Sequence, residues 1–451
     1  MKMKNLLDKI KTGSCIIEIH GLGYVGFPLA VKLASNGFKV TGIDINSKRI
    51  NRLIKNELLD SEEFLKDEFI ECRKEKLTLS NKSQKNELSK IGIICVPTPI
   101  PGPNIDSDVY VKKAVENFLN NSKQGDCIIL ESSVEVGTTE KMKKIIELEG
   151  FEVGINFGLS FCPERIDPSN KEWGIENIPR VIYSSDDITF DISKEIYNNV
   201  NGGNLIRVES PKIAEVVKSF ENAFRLVNIS LVNELAILCD NLGINVKSVI
   251  DAAATKPFGF MPHYPGAGAG GHCIPKDPRF LLESAKKFNT NFVTIENALN
   301  INKKMPKYVS NSIEKSIKKL ALKNTVLVCG LSYKANVEDM RDSASFKIIN
   351  ELTIKGFEIF GYDPFFKDES IEKYLIENNL KEINFKLVNN LDDEVLKNIS
   401  CVCIVQHHDI SKQKIDEIYH NSKVPLIYDC QNKIIQDKNS KTTLDGLGNY
   451  L

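Results

Sequence analysis

The feature that narrows the fold most is a repeated alternation of short apolar runs with longer mixed segments. Between residues 14 and 207, short runs rich in β-branched residues alternate with segments of helical length, and the same rhythm returns from about residue 321. This alternation favours parallel sheets connected by crossover helices. The runs are SCIIEIH, FKVTGID, IGIICV, DCIILE, GLSFC and RVIYS in the first set, and NTVLVCG, FEIFGYD, CVCIVQ and VPLIYD in the second.

A helical segment separates the two sets. Ser210 and Pro211 are residue types preferred at a helix N-cap and at the first helical position. Apolar residues then recur with a period of about 3.6 residues until Gly243. We expect a long amphipathic helix there, followed by further helices. The predicted domains are therefore 1–208, 209–320 and 321–451.

Composition limits the classes of partner. The 451-residue chain carries 59 basic and 60 acidic residues, for a formal net charge of -1. A balanced charge gives no field that would attract nucleic acid or an anionic membrane. No run approaches the ~18 consecutive apolar residues that span a bilayer. We expect small-molecule partners, with no nucleic acid and no membrane insertion.

The cysteines indicate the compartment. Eleven cysteines occur without the spacing of a disulfide framework or of paired metal knuckles. Many lie inside apolar runs, where a reduced thiol packs as a small hydrophobic group. The N-terminal stretch MKMKNLLDKIKTGSC lacks the apolar core of a signal peptide. We therefore expect a cytoplasmic protein with free thiols.

The first strand-like run leads into GLGYVG, which places Gly21, Gly23 and Gly26 in Gly-x-Gly-x-x-Gly spacing. Two glycines let the backbone turn close to a pyrophosphate, and the third lets the next helix pack on the strand. The second run ends in Asp44, whose carboxylate would bind ribose hydroxyls and repel a 2′-phosphate. The pattern predicts an NAD site, although a glycine turn with a surface aspartate would look similar.

Together these features predict an α/β protein: two Rossmann-like doubly wound domains joined by a long central helix and a helical middle domain. Within the first strand, Glu18 and His20 are unusual, because buried parallel strands are normally apolar.

A second glycine-rich stretch, PGAGAGGHCIPKDP, contains Cys273, Lys276 and Asp277. Three interpretations compete. A metal site would need further ligands with recognisable spacing. A phosphate loop would normally end in Gly-Lys-Ser/Thr, which is absent. A nucleophilic cysteine would be activated by the nearby lysine, with the aspartate as a proton-transfer partner.

Several longer motifs occur in order along nearly the whole chain, from about residue 14 to 432. They are GLGYVG, CVPTP, ESSVEVGTT, FCPERI, KSFENAFR, TKPFGFMPHYPGAGAGGHCIPKDP and GLSYKANVEDMRDS. In this combination the sequence resembles the UDP-sugar 6-dehydrogenases. That resemblance implies oxidation of a sugar primary alcohol to a carboxylate with two NAD, through a thioester on the enzyme.

The resemblance also implies roles for individual residues. Cys273 would be the nucleophile, and Lys218 and Asn222, four residues apart on one helix, would stabilise the oxyanion. Asp277 would manage protons with a bound water, and Glu164 would act as the general base for hydrolysis. Three of these side chains also have purely structural interpretations: Lys218 as a solvated helix lysine, Asn222 as a cap or surface amide, and Glu164 as a loop ion-pair partner.

Binding residues follow in the same way. Lys334 and Arg341 would lie near the uridine diphosphate, with a turn lysine and a helix-start arginine as the structural alternatives. Tyr264 would contact substrate or pack as an ordinary aromatic side chain. The remaining substrate contacts are assigned to Glu164, Arg165, Lys218, Asn222, Gly266 and Gly270, and the cofactor contacts to Gly21, Gly23, Tyr24, Val25, Gly26, Asp44, Arg49, Thr98, Thr138 and Lys276.

Two departures from the family pattern are visible. The stretch after FCPERI lacks a Pro-Gly turn, and Gln431 stands where the family commonly has arginine.

The substrate is expected from the residues around the cysteine. With His272 before Cys273, this segment resembles the branch of the family that handles UDP-N-acetylhexosamines. We expect UDP-N-acetyl-D-glucosamine as the first candidate substrate, its mannosamine epimer as the second and UDP-glucose as the third. The alternatives are a non-catalytic protein that binds a UDP-sugar or NAD, and a decarboxylating 3-hydroxyacid dehydrogenase. The long helix is also expected to form a homodimer contact.

Overall fold

The computed structural model describes residues 2–100, 105–165, 172–271, 273–378, 380 and 383–449. Contacts divide the chain into two compact units, one of residues 1–221 and 279–291, the other of 222–278 and 292–451. The predicted central segment is thereby divided between the units. His272 and residues 166–171, where the missing Pro-Gly turn was noted, lie outside the described part of the chain.

The first unit is built on a sheet of eight strands in the order β3-β2-β1-β4-β5-β6-β7-β8. In chain order its elements are α1 (Lys2–Lys11), β1 (Cys15–His20), α2 (Gly26–Ser35), β2 (Lys39–Ile43), α3 (Ser47–Ile54), a 3₁₀ helix (Asp60–Leu65), α4 (Lys66–Cys72), β3 (Leu77–Ser80), β4 (Ser89–Ile94), α5 (Val109–Leu119), β5 (Cys127–Leu130), α6 (Thr138–Leu148), β6 (Gly158–Phe161), β7 (Arg180–Ser184), α7 (Asp187–Asn201) and β8 (Leu205–Arg207).

Both faces of this sheet are covered by helices. One apolar cluster joins the sheet to α1, α2 and α7, and a second joins it to α5 and α6. The predicted doubly wound α/β architecture is confirmed here. One pair departs from the all-parallel prediction, because β7 runs antiparallel to β6. The described part of the β6–β7 connection contains no crossover helix, which a parallel pair would require.

Glu18 and His20 belong to a buried polar cluster. Glu18 Oε1 accepts a hydrogen bond from Ser83 Oγ at 3.1 Å and lies 3.4 Å from Lys90 Nζ, while Glu18 Oε2 lies 3.3 Å from His20 Nε2. The ring of Phe118 covers the group, with Lys90 Nζ 4.7 Å from its centroid. The two polar residues are tolerated in the strand because they are paired with each other and with a buried lysine.

The second unit is built on a parallel sheet of six strands in the order β11-β10-β9-β12-β13-β14. The remaining elements of the chain are α8 (Pro211–Leu242), α9 (Val246–Ala254), α10 (Asp277–Lys287), α11 (Val293–Lys319), β9 (Thr325–Cys329), α12 (Ala344–Ile354), β10 (Glu358–Tyr362), α13 (Asp368–Glu377), β11 (Lys386–Leu387), α14 (Asp393–Leu396), β12 (Cys401–Ile404), α15 (Asp409–His420), β13 (Leu426–Asp429) and β14 (Thr443–Gly446).

Helices again cover both faces of this sheet. One cluster packs α11, α12 and α13 on it, and another packs α14 and α15 on the opposite face. The order reverses between β9 and β12, so this is a second doubly wound sheet with its switch point at those strands.

Helix α8 confirms the predicted long helix. By length and composition alone it is apolar enough to cross a membrane, and nearly half of its most apolar part is buried. The core helix of a soluble protein meets the same criterion. Part of the buried side packs on α9 and α11, through a cluster that includes Ala236, Val246 and Met305.

Candidate active site

The turn after β1 has the geometry that a dinucleotide requires. Gly21 has a φ of +94°, and a Cβ there would lie 2.7 Å from the carbonyl oxygen of Cys95. A Cβ on Gly26 would lie 1.9 Å from the carbonyl oxygen of Gly21, so only glycine lets α2 begin so close to the strand. Above Gly23 there is open space. The turn is therefore open where a pyrophosphate would approach the start of α2.

Asp44 follows β2 and lies against this turn. Its Oδ2 accepts a hydrogen bond from Leu22 N at 2.9 Å, and its Oδ1 accepts one from Asn46 N at 2.8 Å. The side chain is half-buried and keeps lone pairs for ribose hydroxyls. Tyr24, within the glycine turn, is exposed. The glycine turn and this carboxylate together fit NAD, which supplies hydride-accepting chemistry when bound.

Three other predicted cofactor residues have protein partners in the first unit. Arg49 pairs with Glu62 and reaches Leu22 O. Thr98 is buried, and its hydroxyl donates to Ser133 O at 2.7 Å. Thr138, the first residue of α6, is fully buried, and its hydroxyl donates to Asp108 at 2.7 Å. Contacts of these three side chains with NAD stay a prediction.

Glu164 lies beyond the end of β6, within a cluster of charged side chains that was not predicted from the sequence. Its Oε2 pairs with Arg180 Nη2, and its Oε1 accepts a hydrogen bond from Arg165 N at 2.5 Å. Arg180 Nη1 donates to Glu131 Oε1 at 3.0 Å, and Tyr197 Oη donates to the same oxygen. Arg180 is fully buried, as are the side chains of Glu131 and Tyr197. One buried guanidinium therefore joins two carboxylates.

Burial raises the pKa of Glu131, and the nearby carboxylate of Glu164 raises it further against the lowering effect of Arg180. A signal for this cluster was present in the sequence. The predicted strand DCIILE ends in an acid, and the predicted strand RVIYS begins with an arginine. A charge at the end of a buried strand needs a partner, since burial without one is costly.

Arg165 and Lys218 complete the predicted residues of the first unit. Arg165 binds Glu221 through Nε at 3.2 Å and Nη2 at 2.5 Å, and donates from Nη1 to Pro179 O at 2.8 Å. Lys218 is half-buried on α8. Substrate binding by either side chain remains untested.

In the second unit the structure brings together Asn222, Lys276 and Asp277 at the turn that carries Cys273. The carbonyl oxygen of Cys273 accepts hydrogen bonds from the main-chain N–H groups of Asp277, at 2.8 Å, and Lys276, at 3.2 Å. Asn222 Nδ2 donates to Asp277 Oδ2 at 2.7 Å. Asp277 Oδ1 is buried without a hydrogen bond and lies 3.6 Å from Lys276 Nζ. A buried carboxylate is thus fixed one turn from the thiol, with one oxygen available for a proton or water.

The glycine-rich loop before Cys273 is anchored by two asparagines on helices. Asn233 Oδ1, on α8, accepts Gly266 N at 2.9 Å. Asn302, on α11, accepts Ala269 N at 2.6 Å and donates to Ala269 O at 2.9 Å. These amides hold the loop through its main chain, and neither asparagine was predicted from the sequence.

The end of this loop packs on the loop after β9. Gly271 N donates to Arg341 O at 2.9 Å, and a Cβ on Gly271 would lie 2.6 Å from the ring of Tyr333. A Cβ on Gly270 would lie 2.6 Å from Asp342 O. The two segments expected to contact the substrate therefore touch each other. A side chain at Gly270 would strike main chain, and one at Gly271 would strike the Tyr333 ring, so both positions require glycine.

The remaining predicted substrate residues lie around these loops. Arg341 forms a bidentate pair with Asp339, donating from Nε to Oδ1 at 3.0 Å and from Nη2 to Oδ2 at 2.7 Å, and its side chain is 44% exposed. Lys334 is half-buried in the same loop. Tyr264 is exposed, and its hydroxyl donates to Asp251 Oδ1 at 2.8 Å. Substrate contacts by these three residues stay predictions.

Gln431 follows β13. Its Nε2 donates to Gln406 Oε1 at 3.0 Å, and Gln406 Nε2 donates to Tyr333 O at 3.0 Å. Gln431 Oε1 is buried without a hydrogen-bond partner. The two amides therefore link the loops after β9, β12 and β13, with Gln431 at the position where the family commonly has arginine.

The second sheet repeats the turn of the first. Gly330 has a φ of +86°, and the carboxylate of Asp363, after β10, accepts Leu331 N at 2.7 Å, as Asp44 accepts Leu22 N. Asp363 also accepts hydrogen bonds from Ser332 N, Ser332 Oγ, Phe365 N and the His408 ring. Four of these five donors bind Oδ2 and one binds Oδ1, so most of the accepting capacity of this carboxylate is used inside the protein.

Comparison with known proteins identifies the family. Three models of the UDP-glucose/GDP-mannose dehydrogenase family match: the NAD binding domain at residues 15–201, the central domain at 212–304 and the UDP binding domain at 327–436. A UDP-N-acetyl-D-mannosamine dehydrogenase of Methanococcus vannielii is 34% identical over 95% of this chain and 94% of its own. A UDP-N-acetyl-D-glucosamine 6-dehydrogenase of Salmonella typhi is 32% identical over 81% of this chain and 85% of its own.

The solved structures agree. A UDP-D-ManNAc dehydrogenase from Pyrococcus horikoshii superposes with a TM-score of 0.81 at 28% identity, covering 96% of this chain and 99% of its own. The predicted family, fold and cofactor are confirmed, whereas the relatives differ in the sugar their names give. The chain belongs to the UDP-glucose/GDP-mannose dehydrogenase family and is an NAD-dependent nucleotide-sugar dehydrogenase.

Proposed function

We propose that this enzyme oxidises the primary alcohol of a UDP-N-acetylhexosamine to the carboxylate in two successive oxidations, with Cys273 holding the intermediate. The matching UDP binding domain supports a UDP-sugar substrate. The names of the relatives support an N-acetylated sugar, since both epimers among them are N-acetylhexosamines.

Between the epimers, UDP-N-acetyl-D-mannosamine is the first substrate to test. Six archaeal relatives named for this sugar are 33–34% identical to this chain, over 79–96% of its length. The sequence-based preference for UDP-N-acetyl-D-glucosamine keeps the support of the Salmonella typhi relative, at 32% identity.

The proposal is carried by the local environment of the Cys273 thiol. It is the one exposed cysteine among the eleven in the described chain. Burial raises the pKa of a thiol such as Cys162 to about 12, which leaves that thiol protonated and unreactive. Cys273 instead stands at the surface, one turn before a buried Asp277 that Asn222 holds in place. An accessible thiol beside an oriented carboxylate is the arrangement of a nucleophile with a proton partner.

The electrons and atoms balance as follows. The alcohol loses two electrons and becomes an aldehyde, and the Cys273 thiolate adds to its carbonyl carbon. The adduct loses two more electrons and becomes a thioester. Water then displaces the thiolate, so the products are a carboxylate, two reduced cofactors and three protons.

The side chains have separate tasks in this scheme. Asn222 donates to Asp277 and, with Lys218, would stabilise the negative oxygen formed when the thiolate attacks. Asp277 Oδ1, which accepts no hydrogen bond within the protein, would receive a proton through a water. Glu164, held by Arg180, would orient the water that cleaves the thioester.

A substrate panel tests the proposal. UDP-N-acetylmannosamine, UDP-N-acetylglucosamine and UDP-glucose are each supplied with NAD, and NADH is followed by absorbance. We expect two NADH per N-acetylhexosamine consumed. Cys273→Ala should abolish acid formation, whereas the control Cys72→Ala, at a buried helix position, should keep turnover. Full turnover by the Cys273 variant would exclude the covalent route.

We also propose a homodimer through α8. A stripe of large apolar side chains at helical spacing is exposed on this helix: Phe224 at 43%, Leu231 at 62%, Leu238 at 51% and Leu242 at 60%. Continuous exposed apolar surface typically marks a protein interface. Light scattering should give twice the chain mass of 50.6 kDa, and a monomer at working concentration would refute the proposal.

A further inference from the structure

Two side chains of opposite charge flank the turn after β1. Asp44 would repel the 2′-phosphate that distinguishes NADP from NAD, but Arg49, five residues later, carries the charge that NADP-binding proteins use to attract it. The cofactor preference of this site therefore depends on whether that guanidinium is available.

The guanidinium of Arg49 is engaged at every nitrogen. Nη1 donates to Glu62 Oε2 at 3.0 Å, Nη2 to Glu62 Oε1 at 2.5 Å, and Nε to Leu22 O at 3.0 Å. Its carbon lies 5.0 Å from the centroid of the Phe27 ring. The Arg49 side chain is only 11% exposed. A paired, stacked guanidinium of this kind offers little unsatisfied charge to a phosphate.

Glu62 is itself fixed. It lies in the 3₁₀ helix Asp60–Leu65, where its Oε2 accepts Leu59 N at 3.1 Å and its own N–H donates to Leu59 O at 2.8 Å. Its side chain is 6% exposed. The carboxylate is therefore held rigidly in the position that binds both Nη atoms.

Leu22 connects this ion pair to the ribose site. Its N–H donates to Asp44 at 2.9 Å, and its carbonyl oxygen accepts from Arg49 at 3.0 Å. Asp44 and Arg49 thus bind the N–H and the carbonyl oxygen of the same residue of the glycine turn. A change at Glu62 would therefore alter the charge next to Asp44, the acid expected to bind the ribose hydroxyls.

We propose that Glu62 is a cofactor-specificity residue. By binding both Nη atoms of Arg49, it withholds that guanidinium from a 2′-phosphate and leaves the repulsion of Asp44 unopposed. NAD selectivity then depends on the Arg49–Glu62 pair as well as on Asp44.

Cofactor binding by the whole protein, without sugar, tests this directly. Isothermal titration calorimetry of Glu62→Gln should show NADP binding about tenfold tighter than in the wild type, because the released guanidinium can bond a phosphate. The dissociation constant for NAD should change by less than about threefold. Failure of the proposed sugar oxidation would leave these binding constants unaffected, so the two hypotheses can be separated.

A matched control lies in the same 3₁₀ helix. Glu63 is 52% exposed and pairs with Lys66, so Glu63→Gln removes an equal charge without freeing Arg49. It should leave both cofactor affinities unchanged. An equal gain for NADP in this control would show a general charge effect and overturn the proposal.

A double variant identifies the cation responsible. In Glu62→Gln with Arg49→Met, the gain for NADP should disappear, and a persistent gain would overturn the proposal. If Glu62→Gln does not fold by circular dichroism, Glu62→Asp replaces it. This variant keeps the charge but withdraws the carboxylate by one carbon–carbon bond, and should give a smaller shift toward NADP. Unchanged NADP affinity in a folded Glu62 variant would also overturn the proposal.

Discussion

Asn302→Ala should detach the glycine-rich loop from α11. The Asn302 side chain is buried, at 8% exposure, and its amide makes both the 2.6 Å and the 2.9 Å hydrogen bonds to Ala269. The substitution removes both partners at once. The loop that carries Cys273 would lose its anchor midway between Gly266 and the turn.

The size of the effect depends on how the loop responds. If the loop stays in place, two main-chain groups remain buried without partners, at about 1–3 kcal/mol each. If it moves into water, only the net value of two hydrogen bonds is lost, about 1–3 kcal/mol in total. Detachment costs less, so we expect the loop to open, and about 1.4 kcal/mol corresponds to a tenfold change in the opening equilibrium.

Hydrogen exchange measured by mass spectrometry provides the assay. Peptides covering 265–278 should exchange about tenfold faster in the variant, and kcat/KM for the UDP-sugar should fall by a similar factor at saturating NAD. The control is Asn241→Ala, an exposed α8 residue whose amide bonds only the carbonyl four residues earlier. If Asn302→Ala exchanges and turns over like this control, the loop is not held by Asn302.

Two further predictions concern the buried charges of the first unit. Arg180→Met leaves two carboxylates without their guanidinium and should lower the free energy of unfolding by about 3–5 kcal/mol in a urea titration. Wild-type stability in that variant would contradict the pairing. Burial tends to raise the pKa of Glu18, but the hydrogen bond from His20 and nearby positive charge lower it below the ordinary value of 4.5. A lowered pKa stabilises the fold above pH 4.5 and ceases to do so as the pH falls below it. Glu18→Gln should therefore destabilise the protein at pH 7, and its difference from the wild type should shrink as the pH is lowered below 4.5, whereas a difference that does not change with pH would contradict the assignment.

The main strands could be predicted from sequence because they are buried on both faces and so read as continuous apolar runs. All ten predicted runs contain an observed strand. The missed strands β3, β8, β11 and β14 are short and lie at or near the sheet edges, where partial exposure removes the apolar signal. The antiparallel direction of β7 depends on its connection, which residue pattern alone does not specify.

For the site, the residues that are close in sequence could be predicted and the residues that are distant could not. The glycine turn with Asp44 and the Cys273–Asp277 segment are local in sequence, so spacing alone pointed to them. The supporting partners are distant: Tyr197 reaches Glu131 across 66 positions, and Asn302 reaches Ala269 across 33. Such pairs are brought together by the fold, and a single sequence carries no sign of which distant residues will meet.

The repeated turn also sets a rule for redesign. In both sheets a glycine with positive φ follows the first strand, and an aspartate after the second strand accepts a hydrogen bond from the N–H of the residue after that glycine. Asp363 already has five hydrogen-bond donors, whereas Asp44 has two, both from the main chain. A designer who wished to install a ribose site on the second sheet would not need to add an acid. The task would be to strip donors from Asp363, beginning with the serine hydroxyl and the histidine ring.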